Sequence, residues 1–318
     1  MENDKNQFLL EKLKNVKSEI SKAVLGKDEI IDKILTVVIA GGHILLEDIP
    51  GVGKTTLALA LSKATSLNYQ RLQFTPDVLP TDVTGFSVYD KKTDSFIYKP
   101  GAALCNLFLA DEINRTSSKT QSALLEIMEE GSVTVDGVTR DVPQPFTVIA
   151  TQNPIGYVGT QMLPESQLDR FMVCLSMGYP AARDEVNILK GKQGNNPLNS
   201  VNAVAGADDI LAIRKAVEEV YTDDKIFAYI VALADATRKT EMLSLGISPR
   251  GTVAIATLAR ARAFMQGRDY VVPDDVTDIF IDAAEHRVSL SSKAKIGGYT
   301  AKTILNSILQ QVKCPGIN

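Results

Sequence analysis

Cysteine and histidine are scarce in this chain, and that narrows its chemistry first. Cys105, Cys174 and Cys314 are far apart and odd in number, which points to neither a disulfide framework nor a zinc cluster. Cys105 and Cys174 fall in apolar runs and read as small packed hydrophobes. His43 and His286 are the only histidines, and neither has a metal-ligand partner at useful spacing. Long apolar runs are missing too, so no segment is expected to span a bilayer. The N-terminal "MENDKNQFLLEKLKN" is charged and lacks the apolar stretch of a signal peptide. These absences predict a reduced, cytoplasmic, soluble protein and not an integral membrane one. Basic charge is also in short supply. A formal net charge of -4 argues against duplex DNA as a partner, because phosphate-backbone affinity comes from clustered Lys and Arg, although it leaves room for a local basic patch.

What is present is core-forming sequence. Hydrophobic residues make up 45% of 318 positions, which excludes whole-chain disorder and suffices for two modest domains. The spacing in "FLLEKLKNVKSEISKAV" predicts a first helix, and "LGKDEIIDKILTVVIAGG" a second that stops at Gly41-Gly42. Five short apolar runs follow between residues 43 and 177: "HILLED", "YQRLQF", "NLFLAD", "FTVIAT" and "FMVCLSM". Continuous apolar strands with helix or long loop between them predict an α/β fold with a parallel sheet covered on both faces.

Two inserts break this rhythm. Residues 75 to 102 contain "FSVYD" and "SFIYK", which read as a small hairpin around Lys91-Lys92. "GSVTVDGVTRDVP" reads as a second hairpin turning at Asp136-Gly137. After "GKQGNNPLNSVNAVAG", taken as the domain connection, the remaining patterns are helical, with Asp208, Asp223, Ser248 and the Pro273-Asp274 step as expected caps or first-turn residues.

The chemistry concentrates at strand ends. "LLEDIPGVGKTTLALAL" sets a Gly-containing loop between an apolar run and an Ala/Leu-rich helix. Gly51 and Gly53 would let backbone N–H groups close on phosphate oxygens at a helix N-terminus. Lys54 would reach the β- and γ-phosphates, and Thr55 would ligate Mg²⁺. The strict phosphate-loop pattern begins with Gly, whereas Asp48 stands there. The plain alternative is an ordinary strand–turn–helix junction.

"LFLADEINR" weighs against that alternative. A strand interior rejects charge, so two adjacent acids at its C-terminal end point to the crevice where such sheets bind ligands. Asp111 suits the outer shell of Mg²⁺, and Glu112 suits a base that polarises an attacking water. "FTVIATQNP" ends another strand with Asn153, a neutral amide able to orient the water or touch the γ-phosphate. Alone, Asn153 before Pro154 is also a common turn. Arg170 lies just before the fifth strand, and Arg250 sits where a helix start normally favours acids. Each either meets an anion or makes a weak surface ion pair.

Together these features resemble the AAA+ ATPases, and more closely the MoxR family. "LADEINRTSSKTQSALLEIMEEGSVTVDGVTR", "VIATQNPIGYVGTQMLPESQLDRF" and "SPRGTVAIATLARARAFMQGRDYVVPDDV" are similar to that family's motifs over about residues 20 to 290. An Asp at position 48 looks ordinary for the family. The resemblance implies an AAA+ αβα P-loop core with a five-stranded parallel sheet (1–185, with the N-terminal helices, a helix-2 insert and a pre-sensor-1 hairpin) and a C-terminal helical lid (186–318).

It implies a nucleotide site built from Pro50, Gly51, Val52, Gly53, Lys54, Thr55 and Thr56, with Val24, Leu25 and Gly26 against the adenine. Asp111 and Glu112 match the acid pair of Walker B, and Asn153 matches sensor 1. Arg170 matches the arginine finger supplied to a neighbouring subunit, and Arg250 matches sensor 2, acting on its own subunit's nucleotide. The implied activity is ATP hydrolysis with Mg²⁺ by a homo-oligomer, a hexameric ring in the family. Such a ring would work as a chaperone that remodels or matures a client protein, in some cases with a von Willebrand factor A domain protein. A nucleic-acid motor and a nucleotide-gated scaffold are the rival readings. Overall acidity opposes the first, and the intact Glu112 and Arg170 oppose the second.

Overall fold

A computed structural model describes residues 2–153, 163–191 and 196–316. The expected turn at Pro154 and part of the expected connection, 192–195, lie outside the described residues. Two helices come first, α1 (Glu2–Ala23) and α2 (Asp28–Ile39). In α1, Leu9, Leu13, Val16 and Ile20 are all buried, and their three- and four-residue spacing puts them on one stripe of the helix.

The nucleotide-fold part then runs β1 (Ile44–Glu47), α3 (Lys54–Thr65), β2 (Tyr69–Gln73), α4 (Pro80–Thr84), the hairpin β3 (Gly85–Asp90) and β4 (Ser95–Pro100), and β5 (Leu107–Asp111). It continues with α5 (Ser118–Glu130), the hairpin β6 (Ser132–Val135) and β7 (Val138–Asp141), β8 (Thr147–Gln152), α6 (Glu165–Leu168), β9 (Val173–Leu175) and α7 (Ala182–Gly191).

Strands β2, β5, β8, β1 and β9 lie side by side in that order, all parallel. Alternation sends each central strand into two separate cores. Ile44, Leu46, Leu107, Leu109 and Ile149 pack with α1, α2 and α3. Leu45, Phe108, Ala110, Val148 and Ala150 pack with α5 on the other face. Charge is therefore excluded from the strand bodies, and truncating a residue such as the fully buried Leu109 costs about 2–5 kcal/mol. The first strand in this order, β2, is half exposed and polar, "YQRLQ", as suits an edge.

The C-terminal part comprises α8 (Ala207–Glu218), α9 (Asp224–Lys239), β10 (Leu243–Leu245), α10 (Pro249–Met265), α11 (Pro273–Ala284), β11 (Ser289–Leu290), α12 (Ser292–Ile296) and α13 (Ala301–Gln311). Asp223 and Ser248 cap α9 and α10 as expected. Asp208 lies in the first turn of α8, as expected, and the helix starts from Gly206, whose N–H donates to Asp209 Oδ2 at 3.0 Å. The lid is also not purely helical. β10 and β11 form an antiparallel pair, too short for any alternation to register in the sequence.

One hydrophobic core joins α1 and α2 to lid residues such as Ile255, Leu258 and Phe280. Arg214 crosses the same boundary, donating to Val38 O at 3.0 Å and Thr147 Oγ1 at 3.1 Å. Among the described residues, no helix is long and apolar enough to cross a membrane.

Candidate active site

The strand order brings the chemistry together. β8 lies between β5 and β1, so the C-terminal ends of three adjacent strands deliver the acid pair, Asn153 and the glycine loop to one edge of the sheet. This is the edge at which open α/β sheets bind ligands. In the loop, Gly51 has φ 87° and Gly53 φ 99°, left-handed conformations that favour glycine. A Cβ at Gly51 would meet nothing within 4 Å, so the loop surrounds open space at the start of α3.

Lys54 is buried, and its ammonium donates to Asp48 O at 2.9 Å and Ile49 O at 3.4 Å. Burial pulls it below the ordinary lysine pKa, against the opposing carboxylates of Asp48, Asp111 and Glu112. Pro50 is exposed, and Thr55 and Thr56 are half-buried in the first turn of α3. A cleft of about 670 Å³ is lined by Val24, Leu25, Gly51, Val52, Gly53 and Thr56, and closed from the other side by Pro180, Asn187 and Ile188. Gly26 faces the Asp184 carboxylate on α7.

Asp48 explains its own departure from the phosphate-loop pattern. Its buried Oδ2 accepts hydrogen bonds from Met177 N, from Gly178 N at 3.0 Å and from Ser176 Oγ at 3.2 Å. Lys27, next to Gly26, donates to the carbonyls of Met177, Gly178 and Tyr179. A carboxylate and an ammonium thus fix both polarities of the segment that links β9 to α7, and the first tethers it to the loop.

The acid pair is held tightly. Asp111 Oδ1 accepts from Thr151 Oγ1 at 2.6 Å, and Oδ2 from Arg71 Nη2 at 2.6 Å. Glu112 adopts a left-handed backbone with φ 57°, a strained conformation for a residue with a side chain. Its N–H donates to Thr151 Oγ1 at 2.8 Å. Its carboxylate accepts from Asn153 Nδ2 at 3.2 Å and from Arg115 Nη1 at 2.6 Å. Such a pose aims the carboxylate across the strand ends and away from β5.

Arg170 and Arg250 form a second cluster. Glu129, in the last turn of α5, accepts from Arg170 Nη1 at 2.8 Å through Oε2 and from Arg250 Nη2 through Oε1. Arg170 also donates to Leu125 O at 2.6 Å. The preceding Asp169 is locked from the lid by Ser248 Oγ at 2.8 Å and by the buried Arg287, whose Nε lies 2.8 Å from Oδ1. Ser248 at once caps α10 and ties it to the segment holding Arg170. Arg250 therefore sits beside Arg170, the two lining one small cavity with Met128 and Glu129. The Ser248–Asp169–Arg287 bolt fixes the start of α10 to the chain around residue 170.

Segment 43–173 matches the family described as ATPase family associated with various cellular activities (AAA), and 235–308 matches the AAA lid domain. Chaperone MoxR1 of Mycobacterium tuberculosis is 35% identical over 309 residues, covering 94% of this chain and 81% of that protein. The chain belongs to the MoxR family of AAA+ ATPases. "Uncharacterized protein YeaC" of Bacillus subtilis is 47% identical over 93% of this chain and 92% of its own length. A crystal structure described as "a putative ATPase from Cytophaga hutchinsonii" superposes with a TM-score of 0.92 at 35% identity, covering 98% of both chains. The MoxR-family core and lid are thus the fold described above.

Sequence reading missed Thr151, Arg71, Arg115, Glu129, Asp169 and Arg287. Arg115 was within reach, because it follows Glu112 by three positions in one turn. Glu129 offered no signal: its partner Arg250 is 121 positions away, and nothing local distinguishes it from its acidic neighbours.

Proposed function

We propose that this chain is a Mg²⁺-dependent ATPase subunit whose active site is completed by a second copy, and that the assembled ring remodels or matures a client protein. The observation carrying this reading is the 3.2 Å contact between Asn153 and Glu112, made beside the loop that ends in Lys54. The residues fit a triphosphate. Backbone N–H groups at the start of α3 adjoin open space at Gly51, and Lys54 supplies the cation for the β/γ-phosphates. Val24, Leu25 and Gly26 form the adenine side.

Thr55 would hold Mg²⁺ directly and Asp111 through its outer shell; bound there, the ion neutralises charge on the phosphates. Glu112 draws the proton from the attacking water. Asn153 fixes the carboxylate for that task. Arg170 acts as the finger for a neighbour's γ-phosphate. Arg250, held on the same carboxylate as Arg170, serves that neighbouring site too.

The division of labour follows the proposed domains, with Lys54, Glu112, Asn153 and Arg170 in the core, 1–185, and Arg250 contributed by the lid, 186–318. The family resemblance favours a hexamer and a client that includes a von Willebrand factor A domain protein, in the cytoplasm and without nucleic acid. Phosphate release tests this reading. Specific activity should rise with protein concentration, since a lone subunit lacks the finger. Activity per subunit that is constant down to monomer would remove the shared site. Co-purification with a Glu112→Gln trap should identify the client.

A further inference from the structure

Two like charges brought together on a surface repel each other, and Arg170 and Arg250 lie within reach of one carboxylate. Glu129 bridges them, one oxygen to each guanidinium. Met128, Glu129, Arg170 and Arg250 line a small cavity of about 170 Å³. All three charged side chains are partly exposed. Ion pairs in that setting contribute little to stability, so the arrangement makes most sense as geometry.

The rest of the network supports that view. Asp169 and Ser248 fix the backbone on either side of the pair, while Leu125 O and Glu129 fix the Arg170 side chain. Only Glu129 touches both guanidiniums among the described contacts. The cluster keeps one net positive charge, so it remains attractive to an anion arriving from outside the chain.

We propose that Glu129 is a positioning residue that holds Arg170 and Arg250 side by side as a two-guanidinium receptor for the γ-phosphate of the neighbouring subunit. The inference rests on the shared-site reading above. A carboxylate of this length is required. Amide replacement leaves an N–H₂ that cannot accept, so one guanidinium loses its partner. Shortening by one methylene withdraws the bridge from at least one arginine.

The test compares Glu129→Gln, Glu129→Asp and Arg170→Ala by steady-state phosphate release, with native mass spectrometry of the ring for each. Glu129→Gln should lower kcat at least ~10-fold, a fraction of what a finger itself supplies. The KM for ATP should stay within about twofold, because the variant's own Lys54 cleft is untouched. Glu129→Asp should fall between wild type and Glu129→Gln. Mixing Glu129→Gln with Lys54→Ala should restore activity, because some mixed sites pair an intact Lys54 with an intact arginine pair.

Four results overturn the proposal: unchanged kcat in Glu129→Gln, a raised KM at unchanged kcat, loss of the ring together with activity, or mixed rings that stay as slow as Glu129→Gln alone. If Arg170→Ala also turns over at the wild-type rate, the shared-site reading falls with it. If only Glu129→Gln is unaffected, the shared site stands and the role given to Glu129 does not.

Discussion

The Lys54 loop and the Glu129 cluster both gather positive charge, by different means. In the cleft one buried ammonium rests on the carbonyls of Asp48 and Ile49, at the foot of a helix whose loop is opened by two glycines. The loop and its lysine come from consecutive residues, 48 to 54. In the cluster two half-exposed guanidiniums rest on one carboxylate, and the three residues come from α5, the segment before β9 and the lid. A receptor built from backbone must be contiguous, because N–H groups converge only where the chain turns into a helix. One built from long side chains can draw on any elements that packing brings within reach.

The first way to break the comparison is to remove each cation. Arg170→Ala should bind ATP almost normally and hydrolyse it slower by roughly 10³ to 10⁵, the worth of an arginine finger, whereas Lys54→Ala should lose binding itself. Calorimetry and phosphate release together check this, and a common defect in both variants would erase the distinction. A mixture of the two should regain activity. Mixed rings that remain inactive would place Arg170 outside the neighbour's site.

The next effect belongs to the acid between the two clusters. Glu112→Gln should keep ATP binding and lose turnover by at least ~10²-fold, the low end for a positioned base. Turnover near wild type would move the base elsewhere.

Arg250→Ala sharpens the comparison further. With Arg250 on the Glu129 side, the variant should lower kcat and leave the ATP affinity of an isolated subunit unchanged. A marked loss of affinity in the monomer would return Arg250 to its own cleft.

Asp48→Gly, which restores the strict phosphate-loop pattern, should destabilise the protein by about 1–3 kcal/mol. It strands the N–H groups of Met177 and Gly178 that the carboxylate now accepts. A denaturant midpoint equal to wild type would show that the tether contributes nothing.

A further effect, spread over a pH range, concerns the support beneath α5. His43 donates to Met128 O and accepts from Val148 N, and burial lowers its pKa to about 4, with Arg214 adding to the shift. Burial lowers His286 to about 3, aided by Arg287. Below the ordinary histidine value the unfolded chain binds protons that the folded chain refuses. Stability should therefore fall with falling pH, by about 1.4 kcal/mol per unit for each histidine, until the folded value is reached. His43→Gln should remove one histidine's share of the slope in urea titrations between pH about 6.5 and about 4, and an unchanged slope would show that His43 titrates freely.

The sequence alone determined the local chemistry of this protein. Apolar runs such as "HILLED" and "NLFLAD" became β1 and β5 because a strand buried on both faces can be read from composition. The glycine loop, the acid pair and both hairpins were legible for the same reason, since each is a short contiguous pattern. Tertiary structure decided what lay between such patterns. It set the order in which strands lie, the use of Asp48 as a tether, the left-handed turn at Glu112 and the place of Arg250 beside Arg170. The cause is physical: Arg250 lies where Ser248, Asp169 and Arg287 fix the start of α10, and contacts between residues so distant in sequence leave no periodic trace along the chain.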